Sequence, residues 1–549
     1  MIQNYNKMNI SMISKARQMM MAAMGAVPAL MAAQNEKPNI IYIMCDDMGY
    51  GDLGCYGQQL ISTPHIDQMA REGMRFTQAY AGSPVSAPSR ASFMTGQHSG
   101  HGYVRGNREY WNKGGIDNSM FNGRGDYWIV GQEPYLMTHE IIPELFKKAG
   151  YNTGMFGKWA GGYWNSRYPN SYATDSNGNT DTGKYQTTSS MSLPNKRGID
   201  CFYGPVCQFQ AHTYYPNFLN RYDPEGKGDK YMVAETMEQN IQHATVFSGN
   251  NDFENRTEYS ADLIHRYAMS WIDRMAEKDE PFIGIFTYTL PHAELWQPND
   301  SILKKYTQAF KCDEKTHNWE TANWYYKNTN SHAQFAAMIT RLDAYVGEIR
   351  AKLKEKGLDK NTLVIFTSDN GPHEEGGADP TWFNRDGLLK GTKRSTHEGG
   401  IRIPYIACGP NVPAGVVNDH QLAFYDVMPT LLDYIGEKDA ARAHSLEAST
   451  AEDPYDGISF YNTLTGNDED QQKHEFLYWE FHETNMMGLR MGDWKMVVSS
   501  GNCKLYDLAN DIHEDTDVAS QYPEVVAKMK KIILEQHVNS NLFSVTLPK

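Results

Sequence analysis

Between Pro84 and Gly96 the chain reads Pro-Val-Ser-Ala-Pro-Ser-Arg-Ala-Ser-Phe-Met-Thr-Gly, which sets a hydroxyl, Ser86, just ahead of a helical stretch. Pro88 ends the extended approach and Ser89 has the side chain of a helix cap, so the amides of the following turn face any anion beside Ser86. Arg90 stands just inside that helix end, within reach of a Ser86 nucleophile and of an anionic group under attack. Two other segments supply carboxylates. Residues 38–52, Pro-Asn-Ile-Ile-Tyr-Ile-Met-Cys-Asp-Asp-Met-Gly-Tyr-Gly-Asp, read as a buried apolar strand ending in the pair Asp46-Asp47. Residues 363–371, Leu-Val-Ile-Phe-Thr-Ser-Asp-Asn-Gly, repeat that grammar and end in Asp369-Asn370. Ligands of open α/β sheets collect at the carboxyl ends of strands, so the two acidic pairs can meet although the chain separates them widely. Three carboxylates and an amide oxygen make a hard, all-oxygen cage that suits calcium, and magnesium less well.

The elements that must position these groups alternate between strand-like and helix-like runs, as expected of an α/β fold with a large, mixed, mostly parallel sheet flanked by helices. Strands are predicted at residues 39–44, 152–156, 282–290, 363–367 and 403–408, and helices at 64–72, 138–149, 333–356 and 424–435. Residues 163–279 are poor in regular pattern and rich in Asn, Tyr and Gly, which suits surface insertions with some helix near 259–275. After a polar stretch at 438–456, strand-like alternation at 475–481, 488–498 and 504–508 precedes a helix at 523–537. This predicts a signal segment at 1–33, a catalytic domain at 34–437, and a C-terminal α+β subdomain of antiparallel strands and one helix at 457–549.

The 549 residues point to about two or three domains. A formal net charge of −15 argues against a nucleic-acid partner. A polyanionic substrate must then be met by a local basic pocket, for which Arg90, Lys158 and Lys393 are available. The N-terminal segment has Lys7, Lys15 and Arg17 ahead of a short Met- and Ala-rich run ending at Ala32-Ala33, the pattern of a secretory signal. Met8 would give a tidier start. Gly25 and Pro28 interrupt the run, so no transmembrane anchor is expected. The seven cysteines, Cys45, Cys55, Cys201, Cys207, Cys312, Cys408 and Cys503, show no zinc spacing. Cys201 and Cys207 could bridge.

On the Ser86, Asp46-Asp47 and Asp369-Asn370 motifs the chain resembles the type I, formylglycine-dependent sulfatases of the alkaline phosphatase superfamily, in particular bacterial secreted Ser-type glycan sulfatases. The resemblance runs from about Pro38 into the C-terminal region and implies an alkaline phosphatase-like fold. It implies that Ser86 is oxidised after translation to Cα-formylglycine by a radical-type maturase acting on the unfolded chain. An ordinary hydroxyl would be trapped as a stable sulfate ester, whereas a hydrated aldehyde attacks sulfur with one geminal hydroxyl and expels sulfate with the other. By the same resemblance Asp46, Asp47, Asp369 and Asn370, completed by residue 86, are calcium ligands, and Arg90 steadies the formylglycine. Lys158, in Gly157-Lys158-Trp159, and Lys393, in Lys393-Arg394-Ser395-Thr396, match two sulfate-clamping lysines. His292, in Leu290-Pro291-His292, matches the histidine that faces the ester oxygen.

One position departs from the pattern. The family commonly has Gly-Lys-Trp-His, and this chain has Ala160 in place of the histidine. His212, in Ala211-His212-Thr213-Tyr214-Tyr215-Pro216, is the best replacement, weighed evenly against a simply packed imidazole. His98, His101 and Arg105 are further candidates for the pocket wall, against a plain surface loop. Trp479, Glu480, His482 and Arg490 are candidates for its rim, against ordinary cross-strand packing.

These readings favour hydrolysis of sulfate monoesters on a periplasmic or secreted protein's carbohydrate substrate, a sulfated oligo- or polysaccharide built on galactose or N-acetylgalactosamine. A phosphomonoesterase or phosphodiesterase of the same superfamily would use Ser86 directly and need two transition metals. A catalytically weak glycan-binding relative would explain Ala160. Metal content separates the first two, and the intact Asp, Arg and Lys positions count against the third.

Overall fold

The computed structural model describes residues 37–111, 129–136, 139–165, 192–206, 208–216, 218–225, 242–245, 255–311, 328–385, 387–437 and 455–549. The expected signal segment, Cys207, Cys312 and most of the polar stretch before Asp456 lie outside them. Contacts divide the chain into Met1–Pro38 and Asn39–Lys549, and the second unit carries the fold.

Its main sheet runs in the order 416–418, 74–80, 402–408, 362–368, 39–45, 282–287, 152–157, 201–204, 218–222, 242–245, with Leu422–Ala423 also paired to Met74–Tyr80. The central strands 362–368, 39–45, 282–287, 152–157 and 201–204 are parallel, and 402–408 is antiparallel to both of its neighbours. All seven residues of Asn39–Cys45 are buried, as a strand covered on both faces requires. Side-chain alternation then sorts them. Ile41, Ile43 and Cys45 join a core with the helices Ser260–Met275 and Ser331–Glu355, while Ile40, Tyr42 and Met44 join one with Phe93, Val427 and Leu431 on the opposite face.

A four-stranded antiparallel sheet, Leu477–Phe481, Met486–Met491, Trp494–Ser499 and Asn502–Asp507, follows, backed by the helix Pro523–Gln536. The single strand expected at 488–498 is therefore two. Gly492, at φ 59°, turns the chain between Met491 and Trp494, and the apolar alternation continues on both sides of the turn, which hides it in the sequence. One face of this sheet packs Tyr478, Leu489, Met496 and Leu505 against Met529 and Ile533. Leu477 and Trp479 instead join Tyr80, Ile401 and Tyr425 of the main body, and Trp479 Nε1 donates to the Ala81 carbonyl at 2.8 Å. Among the described residues no helix is long and apolar enough to cross a membrane.

Candidate active site

Strand register brings the chemistry to one edge. Gly157 pairs with Thr287, Thr287 with Met44, and Met44 with Thr367, so Lys158, the turn leading to His292, Asp46 and Asp369 all emerge side by side. Strand 74–80 runs parallel to these and delivers Ser86 just past its end, while the antiparallel strand 402–408 begins there and brings in Lys393 from upstream. The helix starts at Ser86 and not at Ser89, because Ser89 N–H already donates to the Val85 carbonyl. Ser89 is consequently no cap; its hydroxyl donates to the Asp369 carbonyl at 2.5 Å and accepts from Gly82 N–H at 3.1 Å. That pair of bonds ties the helix that begins at Ser86 to the second acidic strand end.

Ser86 Oγ lies 2.8 Å from Asp46 Oδ1 and 2.6 Å from Asp369 Oδ2. Arg90 reaches the same Asp369 oxygen with Nε at 3.0 Å and Nη2 at 2.8 Å. Lys158 Nζ sits 2.8 Å from Asp46 Oδ2, and Lys393 Nζ sits 2.8 Å from Asp47 Oδ2. Asn370 Nδ2 donates to Asp47 Oδ1 at 2.7 Å. All of these residues are buried. Burial opposes ionisation of Asp46, but Lys158, His292 and Arg90 prevail and hold it well below the usual carboxylate range. Asp369 goes the other way: burial, with Asp46 and Asp47 repelling, outweighs Arg90 and pushes it up to about 6.

The donor set fits a cation. A hydroxyl has one hydrogen, yet Ser86 faces two carboxylate oxygens at hydrogen-bond distance, and Asn370 Oδ1 is buried without a hydrogen-bond partner. Oxygens of Asp46, Asp47, Asp369 and Asn370 around Ser86 match the hard, flexible cage that calcium takes.

His292 uses Nδ1 toward the Ala293 carbonyl, which leaves Nε2 as the acceptor, 3.2 Å from Lys393 Nζ and 3.3 Å from Gln208 Nε2. Burial and then Lys393 lower its pKa. Ala160, buried with φ 54°, brings no imidazole. The ring of His212 stacks on that of His292 at 4.9 Å with 14° between planes, its basicity lowered by burial and by the charges of this pocket.

The other candidates sit elsewhere. His98 and His101 stack at 4.0 Å beneath Asp456, which accepts from His98 N–H and from His101 Nδ1, each at 2.8 Å. Arg105 Nη1 lies 2.6 Å from Glu480 Oε1, and Arg490 Nη2 reaches Gln78 at 2.5 Å. The Arg105 and Arg490 contacts fasten the small sheet to the main body. His482 likewise turns to the Ser544 carbonyl. Cys201 keeps a free thiol.

Three site residues were not singled out from the sequence. Glu375 Oε2 lies 2.8 Å from Lys393 Nζ. Arg385, fully buried, bonds the carbonyls of Asp47 and His373 and the Asp52 carboxylate, so it braces the first acidic turn from behind. Gln208 faces His292 as described. Glu375 stands beside Glu374 in a Gly-rich loop, and nothing in the sequence says that Glu374 is exposed and Glu375 turned inward.

A sulfatase family model matches residues 38–437. The chain is 28% identical to the N-acetylgalactosamine-6-O-sulfatase of Bacteroides thetaiotaomicron, with 91% of this chain and 93% of that one covered. It is 27% identical to an arylsulfatase of Klebsiella aerogenes, with 74% and 88% covered. Among solved structures it is similar to Ps i-CgsB at a TM-score of 0.65 and 25% identity, over 94% of this chain and 96% of that one. The phosphonate monoester hydrolase of Agrobacterium radiobacter, at 19% identity, 91% and 95% coverage and a TM-score of 0.55, shares the fold. With the Ser86 helix, the two acidic strand ends and the lysines meeting at one sheet edge, the chain belongs to the sulfatase family, as a type I sulfuric ester hydrolase on an alkaline phosphatase-like fold.

Proposed function

We propose that the protein hydrolyses sulfate monoesters on carbohydrate, at sulfated galactose or N-acetylgalactosamine units, with residue 86 as its nucleophile after conversion to Cα-formylglycine. The observation that carries this reading is Ser86 Oγ held between Asp46 and Asp369, with Arg90 and two lysines closing the same pocket. As a hydrate, the modified residue supplies one hydroxyl to attack sulfur and a second to release it. Ser86 is wholly buried, which supports modification of the unfolded chain by a maturase before export.

Asp46, Asp47, Asp369, Asn370 and residue 86 would hold calcium, which when bound stabilises negative charge on the sulfate oxygens. Arg90 keeps residue 86 against Asp369, and Asp369 orients its attacking hydroxyl. Lys158 and Lys393 direct N–H groups at the charge that develops on the sulfuryl oxygens. His292 presents Nε2 to the leaving oxygen, with Lys393 Nζ adjacent, and His212 stands behind it as the imidazole that compensates for Ala160. We read residues 34–437 as the catalytic domain, 457–549 as the C-terminal subdomain, and 1–33 as the signal for a periplasmic or secreted location.

The carbohydrate assignment draws on the relatives' names: an N-acetylgalactosamine-6-O-sulfatase, and Ps i-CgsB, solved in complex with k-i-k-neocarrahexaose. Matured protein incubated with a panel of sulfated mono- and oligosaccharides tests it. Release of sulfate from galactose- or N-acetylgalactosamine-based members is expected; turnover confined to aryl sulfates overturns the assignment.

A further inference from the structure

We infer that Glu375 is the positioning residue of the clamp lysine, holding Lys393 Nζ where it meets the sulfate; the inference rests on the reading of Lys393 as a sulfate clamp. Glu375 lies in a short helical turn, Glu375–Gly377, whose two glycines take positive φ values of 69° and 85° and fold the chain back on itself. Its two carboxylate oxygens are divided between neighbouring cations. Oε2 accepts from Lys393 Nζ at 2.8 Å and Oε1 from Arg394 Nη1 at 2.6 Å.

The backbone fixes the same pairing. Lys393 N–H donates to the Pro372 carbonyl at 2.8 Å, and Arg394 N–H donates to the Pro84 carbonyl at 2.8 Å, two residues before the nucleophile. A long lysine stem would otherwise sample many rotamers. Two carboxylates, Asp47 and Glu375, each at 2.8 Å, instead fix two directions of the ammonium, and a third faces His292 Nε2 at 3.2 Å. The longest of these contacts is the one a sulfate oxygen can replace at least cost, so the N–H aimed into the pocket is set by the two carboxylates behind it. Because Glu375 also binds Arg394, a neutral amide cannot substitute: Gln offers one oxygen for two cations.

The sign of one measurement separates positioning from mere proximity. Glu375 is an anion near an anion-binding pocket, so deleting its charge without any positioning role would tighten sulfate binding. Positioning predicts the reverse. Inorganic sulfate is titrated calorimetrically into matured, calcium-loaded wild type, Glu375→Gln, Glu375→Asp, Lys393→Met and the Glu375→Gln/Lys393→Met double variant, with melting temperatures measured alongside. We expect Glu375→Gln, and Glu375→Asp with its shortened reach, each to bind sulfate about tenfold more weakly, and the double variant to be no weaker than Lys393→Met alone. Unchanged or tighter binding by Glu375→Gln, or losses that add in the double variant, would overturn the positioning role. Wild-type affinity in Lys393→Met would overturn it too, and would do so by removing the clamp reading itself.

Discussion

Ser86 Oγ and Asp369 Oδ2 stand 2.6 Å apart, both residues fully buried, at the junction of the nucleophile helix and the second acidic strand. A hydroxyl at that distance from a carboxylate has its orientation fixed before substrate arrives.

It follows that residue 86 should carry the modification. Peptide mass analysis of protein coexpressed with a maturase should find it lighter by about two hydrogens, the change of an alcohol to an aldehyde at a covalent nucleophile. Ser86→Ala should fold normally and lose turnover by about a thousandfold or more. Fully active protein with an unmodified Ser86 would contradict this.

Calcium binding should depend on pH through Asp369. In the ion-free protein burial, with repulsion from Asp46 and Asp47, pushes this carboxyl up to about 6, and its proton must leave when a cation binds. Calcium affinity should therefore hold above that pH and fall by about tenfold per unit below it. Asp46→Ala and Asp369→Ala should each abolish binding, read by metal analysis after dialysis, with the fold retained. Zinc in place of calcium, or binding that ignores Asp369→Ala, would count against the site.

Arg105 Nη1 and Glu480 Oε1, 2.6 Å apart and buried, join the segment after the nucleophile helix to the small sheet. Removing one partner strands the other charge, so Arg105→Met should destabilise the protein by about 3 kcal/mol or more in denaturant unfolding. Arg105→Met combined with Glu480→Met should recover part of that loss. Equal stability of wild type and the single variant would show the pair to be idle.

The acidic pairs and Ser86 were legible because each stands directly after, or directly before, a run whose apolar pattern fixes it as an element end. Strand neighbours then follow from the α/β alternation, and the residues just beyond the strands are brought together whatever lies between them. Side chains whose direction depends on a loop were not legible. Glu374 and Glu375 have one residue type and adjacent positions, yet one is exposed and the other reaches Lys393. His98, His101 and Arg105 carry residue types that suit a pocket, and only the path of the chain from Asp456 into the small sheet decides that they bind Asp456 and Glu480. Ser89 has the chemistry of a cap, but the helix begins earlier because Ser86 to Pro88 already accept helical geometry, and proline costs nothing in a first turn.

His212, buried beside His292, is the imidazole we propose in compensation for Ala160. Its ring stacks on His292, and burial, then His292, Lys158 and Lys393, lower its pKa; we propose that it takes the proton from residue 86. His212→Ala should then lower kcat by about a hundredfold or more while KM and the affinity for inorganic sulfate change little, since proton transfer is felt only in the transition state. His212→Gln, which keeps the packing against His292 but not the basicity, should be no better than His212→Ala. If both variants turn over near the wild-type rate, Ala160 is a true loss of a base, and the proton must pass to Lys158, Lys393 or solvent. If instead His212→Gln alone restores turnover, the ring acts by packing His292 in place and not by proton transfer.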